Sequence, residues 1–315
     1  GEPLLAYEQM KHAVLRLQEK NKKENKKIEF AVTTNGSLLT EKMLDFFNRY
    51  KFVLLLSFDG LAQEKGRKRG TLDQMVQVMK KIQEYPDITF EINSVFSPQT
   101  VSLFLESMRF IIEHKGPEIT FNLSSMEEWR SSDLETLKEE LERLTDFLVL
   151  FYKEKGKIPV KNFQGQVPGP GSGPGIFHCT AGIDHMAVTP EGKVWGCFLF
   201  HDYFKTREND PQYQEYDFGT LTDFIANYET RYPEIAANYS ELHQDFFQVK
   251  DKGREGTFCF LCEDIKGCVV CPVNAAYSSG SMDKISCCHC VLKKIQRHAL
   301  ENFHEKLLAH GTGSF

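Results

Sequence analysis

Apolar residues along the first half of the chain recur with two alternating periods. Met10, Ala13, Val14 and Leu17 fall on one helical face, and residues 28–33 (IEFAVT) then read as a strand. Met43, Leu44, Phe46 and Phe47 predict a helix, followed by a strand over residues 52–58 (FVLLLSF). Leu72, Met75, Val76, Met79 and Ile82 predict another helix, and ITFEINSVF a strand beginning at Ile88. Val101, Phe104, Leu105, Met108 and Ile111 make a further helix, and EITFNLS a strand from Glu118. Leu134, Leu137, Leu141, Leu144 and Leu148 mark a long last helix. Short strands separated by amphipathic helices of about ten residues or more pair in parallel through crossovers. FVLLLSF carries no polar alternation, as expected of a strand covered on both faces. The predicted class is α/β, barrel-like or doubly wound; periodicity does not separate the two.

The pattern then breaks. Residues 165–175 (GQVPGPGSGPG) hold five Gly and three Pro, which forbids helix and strand alike and reads as a linker or as a loop over a site mouth. Beyond it, residues 185–197 (HMAVTPEGKVWGC) read as a β-hairpin turning at Pro190-Glu191-Gly192. The domain boundary is expected near residue 160.

Composition narrows the classes. The 315 residues are 41% hydrophobic, enough for one large domain or two smaller ones, and the net charge is -6. No broad basic field exists to hold nucleic acid or an anionic membrane, so neither is an expected partner. FVLLLSF is far shorter than the roughly 20 residues that cross a bilayer.

All nine cysteines lie at or after Cys179. An odd number crowded into one half argues against a secreted disulfide scaffold and for a reduced, cytoplasmic protein with a thiolate-bound metal centre. The spacing is C-x17-C, a gap, C-x2-C-x5-C-x2-C, a second gap, then CCHC. Two thiolates two residues apart reach one centre from a tight turn. Iron–sulfur clusters and zinc both satisfy the arrangement, with disulfides a third alternative. A βα repeat feeding a cysteine-dense tail tips the balance towards clusters.

With Gly192 between Cys179 and Cys197, the string C-x12-G-x4-C, C-x2-C-x5-C-x2-C, C resembles the SPASM domain of radical S-adenosylmethionine (SAM) enzymes. One interval departs from that pattern, two residues instead of three before Cys271. The stretch YDFGTLTDF (residues 216–224) sits where such domains carry a glycine-containing turn before a helix. The first half is similar to the matching core. Gly1-Glu2-Pro3 is like the end of the GGEP motif, Thr34-Asn35-Gly36 follows one strand, and Ser57-Phe58-Asp59-Gly60 ends the next. The resemblance implies a partial (β/α) barrel core over residues 1–160, a linker over 161–178, an auxiliary iron–sulfur domain over 179–300, and a helix end and tail over 301–315. The sequence contains no CxxxCxxC, the motif that holds the SAM-cleaving cluster. The chain is therefore expected to be a fragment opening after that loop, and inactive alone.

The resemblance also implies site residues. Cys259, Cys262 and Cys268 would bind one auxiliary [4Fe–4S] cluster with Cys290, for which Cys287 and Cys288 are alternatives. Cys179, Cys197 and Cys271 would bind a second, whose fourth iron is left open or completed by Cys287 or Cys288. A third cluster would belong to the part preceding Gly1. Glu2 would face the SAM ammonium group, a carboxylate complementing its charge, with Asn35 and Ser57 nearby. Gly36 reads as the turn into a helix capped by Thr40, and Asp59 as a capping or turn residue. Sulfatase-maturating members place Asp after the second SPASM cysteine as proton acceptor; here Phe198 follows Cys197. His201 and Asp202 are weak substitutes. The implied function is radical modification of a peptide or protein, with an electron donor such as flavodoxin or ferredoxin. Competing readings are a zinc-stapled binding protein on a degenerate barrel, a cluster-bearing electron or substrate carrier, and an anaerobic sulfatase-maturating enzyme.

Overall fold

Four strands, β1 (Ala31–Thr34), β2 (Val53–Ser57), β3 (Thr89–Phe96) and β4 (Glu118–Leu123), form a sheet in the order β1-β2-β3-β4, every pair parallel. The computed structural model describes residues 1–25, 27–67, 69–114, 116, 118–124, 127–165, 180–247, 271–282 and 287–309. The chain divides into two compact units, Gly1–Val167 with Ile295–Phe315, and Pro168–Lys294.

In the first unit a 3-10 turn (Pro3–Ala6) leads into α1 (Tyr7–Glu24), and the strands are joined through α2 (Glu41–Arg49), α3 (Gln63–Gly66), α4 (Leu72–Ile82) and α5 (Phe104–Glu113), with α6 (Ser131–Lys155) after β4. Thr40 caps α2, its hydroxyl accepting from Met43 N at 3.3 Å. Gly156 closes α6 in the left-handed region at φ 67°, where a side chain would be strained. The helical stripes read from the sequence are the buried ones: Leu44, Phe46 and Phe47 in α2, and Met75, Val76, Met79 and Ile82 in α4.

The sheet is not covered equally on its two faces. Val32, Thr34, Leu54, Leu56, Ile92, Ser94, Phe96, Ile119 and Phe121 are buried, and each of the fully buried aliphatic side chains contributes roughly 2 kcal/mol. The alternate positions Val53, Leu55 and Ser57 are only half-buried, as are Glu91, Asn93 and Thr120. This corrects the expectation that FVLLLSF is sealed on both sides. The apolar run could not reveal the difference, because Val53 and Leu55 are apolar on the more open face too.

Two long-range polar devices tie this unit together. Glu140, buried on α6, accepts from Leu105 N at 2.8 Å and so caps the start of α5 across 35 positions. Glu140→Ala is expected to cost about 1–2 kcal/mol in urea denaturation, since it orphans that N–H. At the outer edge of β4, Asn162 accepts from Phe121 N at 2.9 Å and donates to Phe121 O at 3.0 Å, while Ile119 bridges Val160. A side-chain amide thus continues the ladder where a further strand would lie.

The last helix of the chain (Cys287–Ala309) carries Ala299, Phe303 and Leu307 buried, with the Phe303 ring 5.4 Å from Phe163. Thr145 Oγ1 lies 3.4 Å from Ala299 O. These contacts group Ile295 onwards with the first unit, whereas residues up to 300 were expected in the second domain.

The second unit holds an antiparallel sheet β5-β6-β7, built from β5 (Ala187–Val188), β6 (Lys193–Trp195) and β7 (Asp217–Thr220). The expected hairpin is present, with Gly192 at φ 80° in its turn. The sequence reading left out the third strand, which the glycine-containing stretch supplies. Helices α7 (Phe198–Phe204), α8 (Tyr213–Tyr216), α9 (Leu221–Ala226), α10 (Tyr228–Phe247) and α11 (Pro272–Ser279) complete the unit before the last helix, α12 (Cys287–Ala309), begins. Its core is dominated by rings: Trp195, Phe200, Phe204, Tyr213, Tyr216, Phe218 and Tyr239 are all buried together. Large rings bury much area per residue, which lets a small three-stranded sheet and short helices share one core.

Candidate functional site

The carboxyl-terminal edge of the parallel sheet is where α/β folds build sites. Glu2 is anchored there. Its Oε1 accepts from Leu4 N at 3.2 Å and Thr34 Oγ1 at 2.6 Å, and its Oε2 accepts from Asn35 N at 2.9 Å. The buried Thr34 hydroxyl also accepts from Gly36 N at 3.0 Å. Asn35 Oδ1 accepts from Ser37 N at 2.9 Å, and Gly36 sits at φ 74°, so these two residues form the turn expected after the first strand. A half-buried carboxylate pinned by three donors at a strand end keeps its charge localised. Such an acid fits an ammonium partner.

Ser57 ends β2 on the more open face, in register with Asn93 of β3, which in turn lies opposite Thr120 of β4. Asn122 Nδ2 donates to Asn93 Oδ1 at 2.7 Å. The open face is therefore polar towards its carboxyl-terminal side. Lower down, Lys161 bonds Glu91 at 2.7 Å and lies 3.7 Å from Glu118; the Glu91 hydrogen bond is the main reason its ammonium group titrates above the ordinary lysine range.

Asp59 stands at the start of the 3-10 turn Gly60–Ala62 and its carbonyl accepts from Ala62 N at 3.2 Å, as expected of a turn residue, but its side chain makes no capping bond. Only 2% exposed, its carboxylate takes a two-point contact from Arg67, Nε to Oδ2 at 2.6 Å and Nη2 to Oδ1 at 3.0 Å. Val95 N donates to Oδ1 at 2.8 Å, tying β3 to the loop after β2. Sequence inspection missed Arg67, because nothing local singles it out from the neighbouring basic residues.

In the second unit, Cys197 is the residue preceding α7 and Cys271 the residue preceding α11, with Pro272 at the first helical position. Both are half-buried against the same aromatic core and both are free thiols. Burial is the largest influence on Cys271 and pushes its thiol above the ordinary range. The N–H groups of Asn274 and Val273 pull it down, without closing a capping hydrogen bond, and the charge of Cys197 pushes it up. The two cysteines pack against one core although 74 positions separate them in the sequence (271 less 197). Two sulfur side chains outside any disulfide, partly buried on one core, are of the donor type that fits thiolate ligation.

Cys287, Cys288 and Cys290 all fall in the first turn of α12, which begins three residues before the helix start expected at Cys290. Cys288 and Cys290 are half-buried and, among the described residues, form no disulfide. Cys179, Cys259, Cys262 and Cys268 lie outside the described residues. Among the described residues, no three His, Cys, Asp or Glu side chains converge on a metal-sized site.

Asp202 is engaged. Lys205 donates to its Oδ1 and Tyr277 OH to its Oδ2 at 3.3 Å, and the Lys205 hydrogen bond is the main cause that holds the carboxyl below its ordinary range. A stabilised carboxylate is a weaker proton acceptor. His201 is half-buried beside Trp195, ring centroids 6.2 Å apart. Phe198, the residue after Cys197, is 64% exposed.

No protein-family model and no curated protein matches the chain. Solved structures do match. The polyhistidine-tagged anSMEcpe structure with bound AdoMet, an anaerobic sulfatase-maturating enzyme, aligns at 18% identity and TM-score 0.67 over 98% of this chain and 83% of that one. Native anSMEcpe with AdoMet and the Cp18Cys peptide aligns at 17% identity and TM-score 0.65, covering 98% and 82%. Streptococcus suis SuiB bound to precursor peptide SuiA aligns at 15% identity and TM-score 0.51, covering 84% and 59%. Among the described residues no helix is long and apolar enough to cross a membrane. The chain, a parallel α/β sheet unit joined to a cysteine-bearing aromatic unit, shares the fold of the radical SAM/SPASM enzymes.

Proposed function

We propose that this chain belongs to the catalytic machinery of a radical SAM/SPASM enzyme that modifies a peptide or protein substrate in the reduced cytoplasm. The observation that carries the reading is a fold likeness over 98% of the chain to an enzyme with bound AdoMet. Two relatives of that fold are complexed with peptides, Cp18Cys in anSMEcpe and SuiA in SuiB, which supports a peptide-like substrate here.

On this reading Glu2 receives the SAM ammonium group, and Asn35 and Ser57 line the same sheet edge. Cys259, Cys262, Cys268 and Cys290 hold one [4Fe–4S] cluster, with Cys287 and Cys288 as alternatives to Cys290. Cys179, Cys197 and Cys271 hold the second. When bound, these groups supply radical and one-electron chemistry that amino-acid side chains lack. The chain's own part is placement. The Thr34–Glu2–Asn35 bonds fix a negative charge, the polar row Ser57–Asn93–Thr120 offers donors and acceptors to substrate, and the ring-filled core backs Cys197 and Cys271. Flavodoxin or ferredoxin suits the role of electron donor. His201 is the better of the two weak base candidates, since Asp202 is already paired with Lys205.

A sulfatase-maturating activity is the second reading, favoured by the higher TM-score of anSMEcpe over SuiB and opposed by Phe198. Anaerobic reconstitution with iron and sulfide tests the main reading. A brown protein with about eight iron per chain is expected, falling to about four in Cys197→Ala or Cys271→Ala. Colourless protein holding about two zinc ions overturns it in favour of a zinc-stapled binding protein.

A further inference from the structure

We propose that Tyr239 is a positioning residue for the Cys197 thiolate, holding the backbone ahead of that cysteine in its ligating geometry before any metal binds; this rests on the reading of Cys197 as a ligand. Tyr239 lies on α10, fully buried. Its hydroxyl accepts from Gly196 N at 2.9 Å and donates to Tyr216 O at 2.9 Å. The Gly196 peptide group is thus fixed 43 positions away from the residue that fixes it. On its other side Gly196 O accepts from Gly182 N at 3.2 Å, so both ends of the residue preceding Cys197 are tied.

The ring is as constrained as the hydroxyl. A Cβ at Gly182 would stand 2.3 Å from Tyr239 Cδ2, and a Cβ at Gly196 would stand 2.5 Å from its Cζ. Two glycine backbones therefore close directly on the ring, an approach that only residues without side chains allow. Phe218 stacks on it at 5.7 Å, and Phe200 and Tyr216 meet it edge-on at 4.8 and 5.1 Å. Burial raises the phenol's pKa, so the hydroxyl stays protonated and keeps donating to Tyr216 at any physiological pH.

This amounts to more construction than packing a hydrophobic ring requires. One phenol oxygen spans the backbone before Cys197 and the end of α8, while the ring wedges the two glycines. Groups that orient a metal ligand without touching the metal typically change affinity by about 10–100-fold when removed. Freezing the ligand geometry in advance lowers the ordering cost of binding.

The test uses the full chain, reduced and metal-free under anaerobic conditions, with Co2+ alone as probe. Cys197 is the only cysteine in the tryptic peptide 194–205, so its protection from iodoacetamide reports occupancy of this one thiolate. Tyr239→Phe, which keeps the ring, is expected to raise the Co2+ concentration for half-protection about tenfold. Phe218→Leu, which loosens the same core but leaves the hydroxyl, should leave that midpoint within about twofold at comparable loss of stability. Equal midpoints in wild type and Tyr239→Phe, or equal shifts in both variants, overturn the proposal. Amide exchange of wild-type Gly196 gives a second measurement that needs no variant to fold. Its protection should be about the same with and without Co2+, and protection gained only on metal binding overturns the positioning role. Failure of Co2+ to protect Cys197 in the wild type instead refutes the ligand reading on which the proposal rests.

Discussion

Asp59→Ala is expected to destabilise the first unit by about 3 kcal/mol, a sizeable fraction of a typical domain's margin of about 5–15 kcal/mol. Three hydrogen bonds converge on that buried carboxylate, two from Arg67 and one from Val95 N. Removing it leaves a guanidinium without its counter-charge and an unpaired N–H on β3. The Arg67 side chain is 30% exposed, so water partly solvates it afterwards, and the loss falls at the lower end of the range for buried pairs. Two comparisons check the cause. Asp59→Asn should cost less, because the amide oxygen still accepts from Val95. Asp59→Ala combined with Arg67→Ala should recover part of the loss by removing the stranded charge. Urea unfolding followed by fluorescence reads the effect. In a Trp195→Phe background the signal comes from Trp129 alone, which lies in the first unit. An Asp59→Ala midpoint equal to that of the parent would show that the pair is energetically idle.

Gly182→Ala is expected to cost the second unit about 3 kcal/mol for two separate reasons. Gly182 sits at φ 74°, where a side chain costs roughly 1 kcal/mol. The added methyl would also stand 2.3 Å from the Tyr239 ring, and relieving such overpacking typically costs about 1–3 kcal/mol. Neither the ring nor the glycine backbone can retreat easily, because Phe218 and Gly196 flank them. Gly192→Ala is the informative contrast. Gly192 has a similar φ of 80° but nothing within 4 Å of its added carbon, so only the conformational part should appear. Unfolding monitored through Trp195 in a Trp129→Phe background separates the two costs. Equal losses at both glycines would remove the steric part of the account.

Much of the architecture is legible in the sequence because it is set by short-range periodicity. A helix exposes its apolar stripe every three or four residues, and Leu72, Met75, Val76, Met79 and Ile82 mark α4 for that reason. Four strand-helix alternations leave parallel pairing as the economical topology, and the sheet order β1-β2-β3-β4 follows it. Strand β7 was harder to read, since four residues around a glycine carry too little alternation to register. The open face of the sheet was not legible at all. Val53 and Leu55 are as apolar as Leu54 and Leu56, and only what packs above them distinguishes the two sets.

The candidate site divides the same way. The cysteine spacing carried the resemblance that put Cys197 and Cys271 forward as ligands. The sequence by itself therefore determined the element types and the parallel core, and it supplied the cysteines proposed as sulfur donors. The tertiary structure alone decided that Glu2 is pinned by Thr34 from 32 positions away, that Asp59 is spent on Arg67 and Val95, and that Tyr239 grips the residue before Cys197. Each of these is a contact between segments distant in the chain. Its free energy comes from burial and from paired polar groups assembled together, and no local pattern of residues records which distant partner will be there.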